Sequence, residues 1–359
     1  MKKTIKVFKH PITEVFVMVF ISVVIPAHIK KEYLLDAVNS ALNQTLSRDK
    51  YEIIVIKNFP DYDEYLSNSG VIAINTNKKT GGEKIIEALK ISRGEIISFL
   101  DYDDIFLPHK LEMVYKIFSN DDKVGYYRNR LLYFRDGDNI HSIIKNIKYT
   151  KKIIRIKNEE KEAKFKLMME NSAYINNSTI SLRKDILLRF IENNPHKYRN
   201  IIDNINFYIS LMSNYDVVLD PNVLTLYRVS KNNFTFGNSS YGINDFQEWV
   251  RRKINYLEMV IDGLYLLTDI VKNNYIYLKY DIYPRLTFYK CLSSLLPTKI
   301  DKKYKLHFRD LKYANKKKTP LFLFCLTLNY APASIKRLFA MKAYKSEVKV
   351  AENLIGHEQ

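Results

Sequence analysis

The 359-residue sequence predicts an α/β fold: a mostly parallel sheet flanked by helices, followed by a smaller, helical and basic C-terminal region. Three observations carry this. Short apolar runs of strand length alternate with amphipathic stretches of helix length through the first third of the chain. One such run, residues 95–100, ends in three acids, Asp101, Asp103 and Asp104, at the edge where open α/β sheets bind ligands. The charge is also lopsided: of a formal net +18, the last 109 residues carry +12, from 21 Lys/Arg against 9 Asp/Glu.

Taken in order, residues 15–25 form an apolar run too short to span a bilayer, which needs about 20 residues. Lysines precede it, no small-residue cleavage site follows it, and it ends at Pro26, so it reads as the first core strand. Residues 31–46 place Tyr33, Leu34, Ala37, Val38, Ala41 and Leu42 on one helical face. Strands are expected at residues 51–56 and 70–74, a helix at 82–92, the buried strand at 95–100, a helix at 107–118 and a strand at 125–134. Residues 139–166 are basic without a clear period and read as a loop or covering hairpin. A strand and helix return in 170–189, then a helix at 206–212, a strand at 215–219 and an extended segment at 221–228. The expected domains are residues 1–236 and the helical, basic 237–359.

Composition narrows the classes. A hydrophobic fraction of 47% with 13% aromatics describes a folded chain. Two cysteines, Cys291 and Cys325, give neither a disulfide framework nor zinc spacing, so a reducing compartment is expected. The histidines lack ligand spacing, and the 27 tyrosines are spread along the chain rather than grouped as a stacking platform.

Three carboxylates within four residues repel one another unless a cation shares them, and Mg²⁺ or Mn²⁺ takes one or two such oxygens together with substrate phosphates. The residues alone leave two readings open, a metal-diphosphate site and an acidic turn capping the helix that Pro108 starts.

Residues 22–46 (SVVIPAHIKKEYLLDAVNSALNQTL), 52–56 (EIIVI), 94–112 (GEIISFLDYDDIFLPHKLE), DNINFYISL and VLDPNVLTLYR together resemble the family 2 glycosyltransferases of the GT-A fold. The resemblance implies an inverting, metal-dependent hexosyltransferase that moves a sugar from a nucleoside-diphosphate sugar to an acceptor hydroxyl of a glycan or lipid-linked glycan. It places Pro26, Ala27, Asn58, Lys84, Asp101 and Tyr102 at the nucleotide sugar, and Asp103, in the family's Asp-x-Asp motif, at the Mg²⁺ or Mn²⁺. Lys57 and Asn58 stand where the family usually has acids that read the base; Lys84 reads either as a phosphate cation or as a solvated lysine on an exposed helix. The family's catalytic base is the second acid of a pair before an apolar helix. Here that pair is Asp203-Asn204, and Asn cannot act as a base, so either Asp203 is the base by a small shift in register or catalysis is impaired; equally, Asp203 reads as a helix N-cap.

Two other classes stay in view. A sugar-phosphate nucleotidylyltransferase would want a Gly-rich basic loop where Ala27-His28-Ile29 stands. A non-catalytic polyanion or nucleic-acid binder would use the +18 charge alone, but the aromatics are not interleaved with the basic residues, and nucleic acid is not the expected partner. The expected location is cytoplasmic, peripheral on the anionic inner membrane face. The basic stretch 299–318 running into the apolar 321–328 is the segment expected to make that contact.

Overall fold

The structure is a computed structural model that describes residues 19–28, 32–150, 152–158, 161–173, 176–194, 196, 198, 205–229, 246–297, 301–313 and 319–356. Its first unit is β1 (Ile21–Pro26), α1 (Leu34–Leu42), β2 (Tyr51–Lys57), α2 (Asp63–Asn68), β3 (Ile72–Asn75), α3 (Gly81–Ile91) and β4 (Ile96–Phe99), the predicted alternation with the short helix α2 added to it. The strands lie parallel in the order β3-β2-β1-β4. Both faces of this half are covered, so neighbouring residues along one strand feed different cores. Ile21, Val23 and Ile25 pack with α1, whereas Val24, Ile54, Ile56 and Ile97 pack with Ile85, Ala88 and Leu89 of α3. Thr80 and Glu83 close a capping box that starts α3 where its apolar stripe begins. At Gly94 a Cβ would come within 2.5 Å of the Ser22 backbone nitrogen, so only glycine lets the chain enter β4 this close to β1.

Beyond β4 the sheet changes character. β5 (Ile105–Phe106), α4 (Lys110–Ser119), β6 (Val124–Arg135), α5 (Ile140–Asn146), β7 (Ile154–Ile156), α6 (Lys161–Glu170), β8 (Ile180–Arg183), α7 (Lys184–Asn193), α8 (Ile205–Met212) and β9 (Asp216–Val229) follow. β8 pairs antiparallel with both β4 and β6, β9 runs parallel to β6, and β5 and β7 pair antiparallel with β9. The sheet is therefore mixed, parallel on one side of β4 and largely antiparallel on the other. Residues 139–166, expected as a loop or hairpin, instead contain α5, β7 and most of α6. Their low apolar periodicity reflects short elements that pack through few side chains.

The C-terminal region is helical, as expected: α9 (Phe246–Ile270), α10 (Tyr275–Tyr277) running through a π-helical turn into α11 (Tyr283–Ser294), then α12 (Thr319–Leu328) and α13 (Ala333–Gly356). The expected boundary at residues 236 and 237 lies outside the described residues. One apolar cluster runs from the sheet through Phe207 and Tyr208 of α8 into Leu257, Ile261, Tyr277 and Leu286. Cys291 and Cys325 form a disulfide joining α11 to α12, with sulfurs 2.04 Å apart. This corrects the expectation that the two cysteines give no disulfide: 34 residues separate them in sequence, but their helices pack side by side around a small core with Leu306, Phe322 and Leu326.

Candidate functional site

The carboxyl ends of β1, β2 and β4 meet at one edge. At β1, Pro26 and Ala27 are buried; the Ala27 N–H donates to the Ile56 carbonyl at 2.8 Å. Lys84 is fully buried on α3, which corrects its reading as a solvated lysine: its Nζ donates to the Ala27 carbonyl at 2.5 Å and lies 3.0 Å from His28 Nδ1. Burial lowers the lysine to about 8. Burial, then the Lys84 charge, lowers His28 to about 4, so the ring is neutral near pH 7 and can accept from the ammonium. Lys84 thus braces the β1 loop from below. The Asn58 amide Nδ2 donates to the carbonyls of Thr76 and Lys78, at 2.9 and 2.7 Å, and so ties the β2 loop to the chain after β3.

Asp101, Tyr102 and Asp103 follow β4 directly and are half-buried. Tyr102 meets His28 edge-on, with ring centroids 6.3 Å apart, which brings the acidic turn against the β1 loop. Burial, then the charges of Asp103 and Asp101, raises the Tyr102 phenol, so it stays a neutral hydrogen-bonding group. Asp104 has turned the other way and is buried. Its Oδ2 accepts from Asn176 Nδ2 at 2.8 Å and from Ser178 Oγ at 2.6 Å, and its Oδ1 accepts from the Arg228 N–H at 3.1 Å. Burial, then the neighbouring Asp103 charge, raises Asp104 to about 7. The three acids divide into two half-exposed carboxylates facing the edge and one that anchors the turn. The repulsion expected from the sequence is still felt between Asp103 and Asp104, where it adds to burial in raising the anchoring carboxyl.

Two groups that sequence reasoning missed complete the anchor. Ser178, in the 3-10 turn Asn177–Thr179, accepts the Asp101 N–H at 2.9 Å through the same Oγ that donates to Asp104. Arg228, near the end of β9, donates from Nε to the Asp103 carbonyl at 2.9 Å. Its other nitrogens reach Asp36 Oδ2 at 2.6 Å and Asp136 Oδ1 at 2.5 Å. The guanidinium stands 4.2 Å from the ring centre of Tyr33 and 4.6 Å from that of Phe134. The 3-10 turn is itself held by buried Lys110, whose Nζ donates to the Thr179 carbonyl at 3.1 Å, and by Thr225, which donates to the Ser178 carbonyl at 3.0 Å. Its Asn177 Oδ1 accepts from Asn206 Nδ2 at 3.1 Å, and Asn206 lies in the first turn of α8. Asp203 lies outside the described residues, three positions before that contact.

Among the described residues no group of three His, Cys, Asp or Glu could cage a metal. Two carboxylates on a half-open edge are nonetheless the donor set that Mg²⁺ or Mn²⁺ uses when a diphosphate supplies the remaining oxygens.

Residues 22–180 match the family model described as Glycosyl transferase family 2. An uncharacterized glycosyltransferase of Nostoc sp. is 32% identical over 114 residues, covering 29% of this chain and 34% of that protein. One from Methanocaldococcus jannaschii is 30% identical over 146 residues, 38% and 49% of the two chains. The poly(ribitol-phosphate) beta-glucosyltransferase of Bacillus spizizenii is 31% identical over 93 residues, 23% and 15%. The chain spans less than half the length of each of these relatives. Among solved structures, S. aureus TarS 1-349 in complex with UDP-GlcNAc is similar at a TM-score of 0.49 and 12% identity, over 91% of this chain and 92% of that one. The stretch that builds β1 to β4, the acidic turn and its Ser178 anchor is a family 2 glycosyltransferase domain.

Proposed function

We propose that the chain is an inverting glycosyltransferase that moves a sugar from a nucleoside-diphosphate sugar to an acceptor hydroxyl of a glycan or lipid-linked glycan. The observation that carries this reading is the division of the acids: Asp101 and Asp103 are presented beside the β1 loop while Asp104, Ser178 and Arg228 hold their backbone. Pro26, Ala27 and Tyr102 would flank the nucleotide, with Asp101 reaching the ribose. Lys84 acts by fixing the loop, and Asn58 by shaping the neighbouring one. Asp103 would hold Mg²⁺ or Mn²⁺, which supplies Lewis-acid stabilisation to the departing diphosphate. On the acceptor side, Asp203 would take the hydroxyl proton. That role needs only hydrogen-bond reach, and Asp203 precedes a helix tied by Asn206 to the turn that anchors the donor edge. The proposed division into residues 1–236 and 237–359 gives the catalytic groups to the first part and contact with an acceptor-bearing surface to the second.

Titration of a panel of nucleotide sugars with and without Mn²⁺ tests the donor half. Asp103→Asn should abolish the metal-dependent part of donor binding and leave the melting temperature unchanged, because the side chain stands at a half-exposed edge. Donor affinity in Mn²⁺ equal to wild type would remove Asp103 from the site.

A further inference from the structure

Helix α12, TPLFLFCLTL, has no charged residue and is apolar on every side. Such a helix is stable where every side is buried, in a core or in lipid. Its inner side meets that condition, for Phe322, Cys325 and Leu326 pack with Cys291 and Leu306. Its outer side does not: Leu321, Leu323 and Phe324 are exposed. The exposed apolar surface continues through Tyr330, 91% exposed, to Ile335 and Leu338, 71% exposed, on α13. Phe324 meets Phe339 edge-on at 4.9 Å, so the two helices present one continuous corner of the molecule.

Charge identifies what covers this corner. From Leu311 to Ser346 the sequence has no acidic residue and eight Lys/Arg. On α13, Lys342 and Lys345 follow Leu338 at spacings of four and three, which places them on its face of the helix, and Arg337 is exposed beside it. A bulky apolar strip bordered by cations and free of anions suits a surface with an apolar interior and anionic headgroups. A second copy of this chain would instead set cation against cation. Among the described residues no helix is long and apolar enough to cross a membrane, so the contact is one of lying on the surface.

We infer that the corner formed by α12 and the first turns of α13 docks on an anionic lipid surface, with Leu321, Leu323, Phe324 and Leu338 entering the interface and Arg337, Lys342 and Lys345 meeting the headgroups. Only the consequence rests on the proposed function: an enzyme seated this way meets lipid-linked acceptors.

The test is co-sedimentation of the full chain with phosphatidylcholine vesicles, with and without phosphatidylserine. Wild type should pellet with the anionic vesicles, and the pair Leu321→Glu, Phe324→Glu should lower that partitioning by about tenfold or more. Lys342→Glu with Lys345→Glu should do the same. Tyr275→Glu with Tyr280→Glu, equal in charge change to the Leu321 and Phe324 pair but placed at exposed tyrosines on α10 and the π-helical turn after it, should pellet like wild type. Absence of wild-type pelleting, equal pelleting of all variants, or a concentration-dependent dimer that Leu321→Glu with Phe324→Glu dissolves would overturn the inference. Donor binding measured on the same proteins without vesicles reports separately on the glycosyltransferase reading, and all these variants should retain it.

Discussion

Arg228 gathers the site at the residue scale. Its side chain is nearly fully buried, yet it faces two carboxylates and a carbonyl, and its own N–H serves a third carboxylate. A guanidinium satisfies such a set because its nitrogens form a fixed planar fork that also stacks on Tyr33 and Phe134. Lysine keeps the charge but cannot span the partners. Arg228→Lys should therefore cost roughly 1–3 kcal/mol of stability and weaken donor binding by about tenfold, read by thermal melting and donor titration. Unchanged donor affinity would confine Arg228 to stabilising the fold. His28 makes a second prediction. Its folded pKa of about 4 lies below its unfolded value of 6.5, so the unfolded chain binds the proton first and stability declines as pH falls from about 6.5 towards 4. His28→Gln should flatten that part of a melting-temperature profile. An identical acid limb in the variant would show that the ring's burial is not felt in stability.

At the scale of elements, the 3-10 turn Asn177–Thr179 links the acidic turn to α8. Ser178 faces the acidic turn and Asn177 faces α8, so a shift on either side is felt on the other. A double-mutant cycle of Asn177→Ala and Asn206→Ala should give a coupling of about 0.5–3 kcal/mol in kcat/KM for transfer. Strict additivity would mean that the two amides are neighbours without consequence. This link was not legible in the sequence. β1, β2, β4, α1 and α3 were, because each writes its burial into a local run of apolar residues or a helical stripe. The partners of Asp104 stand 72, 74 and 124 residues away and are ordinary polar residues, so no local pattern marks them. The acids themselves were legible as a cluster, but their division into presented and anchoring groups depends on those distant partners. The reading of Lys84 as a solvated lysine fails for a related reason. Its neighbours in sequence suggest an exposed first turn, whereas the β1 loop it supports lies 57 residues earlier.

Across the whole molecule, the sheet joins a parallel half built from consecutive βα units to a mixed, largely antiparallel half threaded out of order, with β4 between them and β8 inserted before β6. The first half was readable because sequence neighbours are also neighbours in space. The second was not, since its strands pair across long separations and their order depends on tertiary packing. The C-terminal charge and the apolar 321–328 beside it were equally plain, but only the folded helices bring Leu338 and the cations of α13 to the same corner.

The threading of the sheet has a consequence in time. During synthesis the parallel half, with Asp101 and Asp103 at its edge, is complete long before Ser178 and Arg228 exist. Until those residues arrive, the Asp101 and Arg228 contacts that hold the acidic turn are missing, and Asp104 has no buried partners. Loop closures of this length come late in folding. A nascent chain therefore has a sheet before it has a fixed acidic turn, and Arg228 is the last of that turn's anchors to be made.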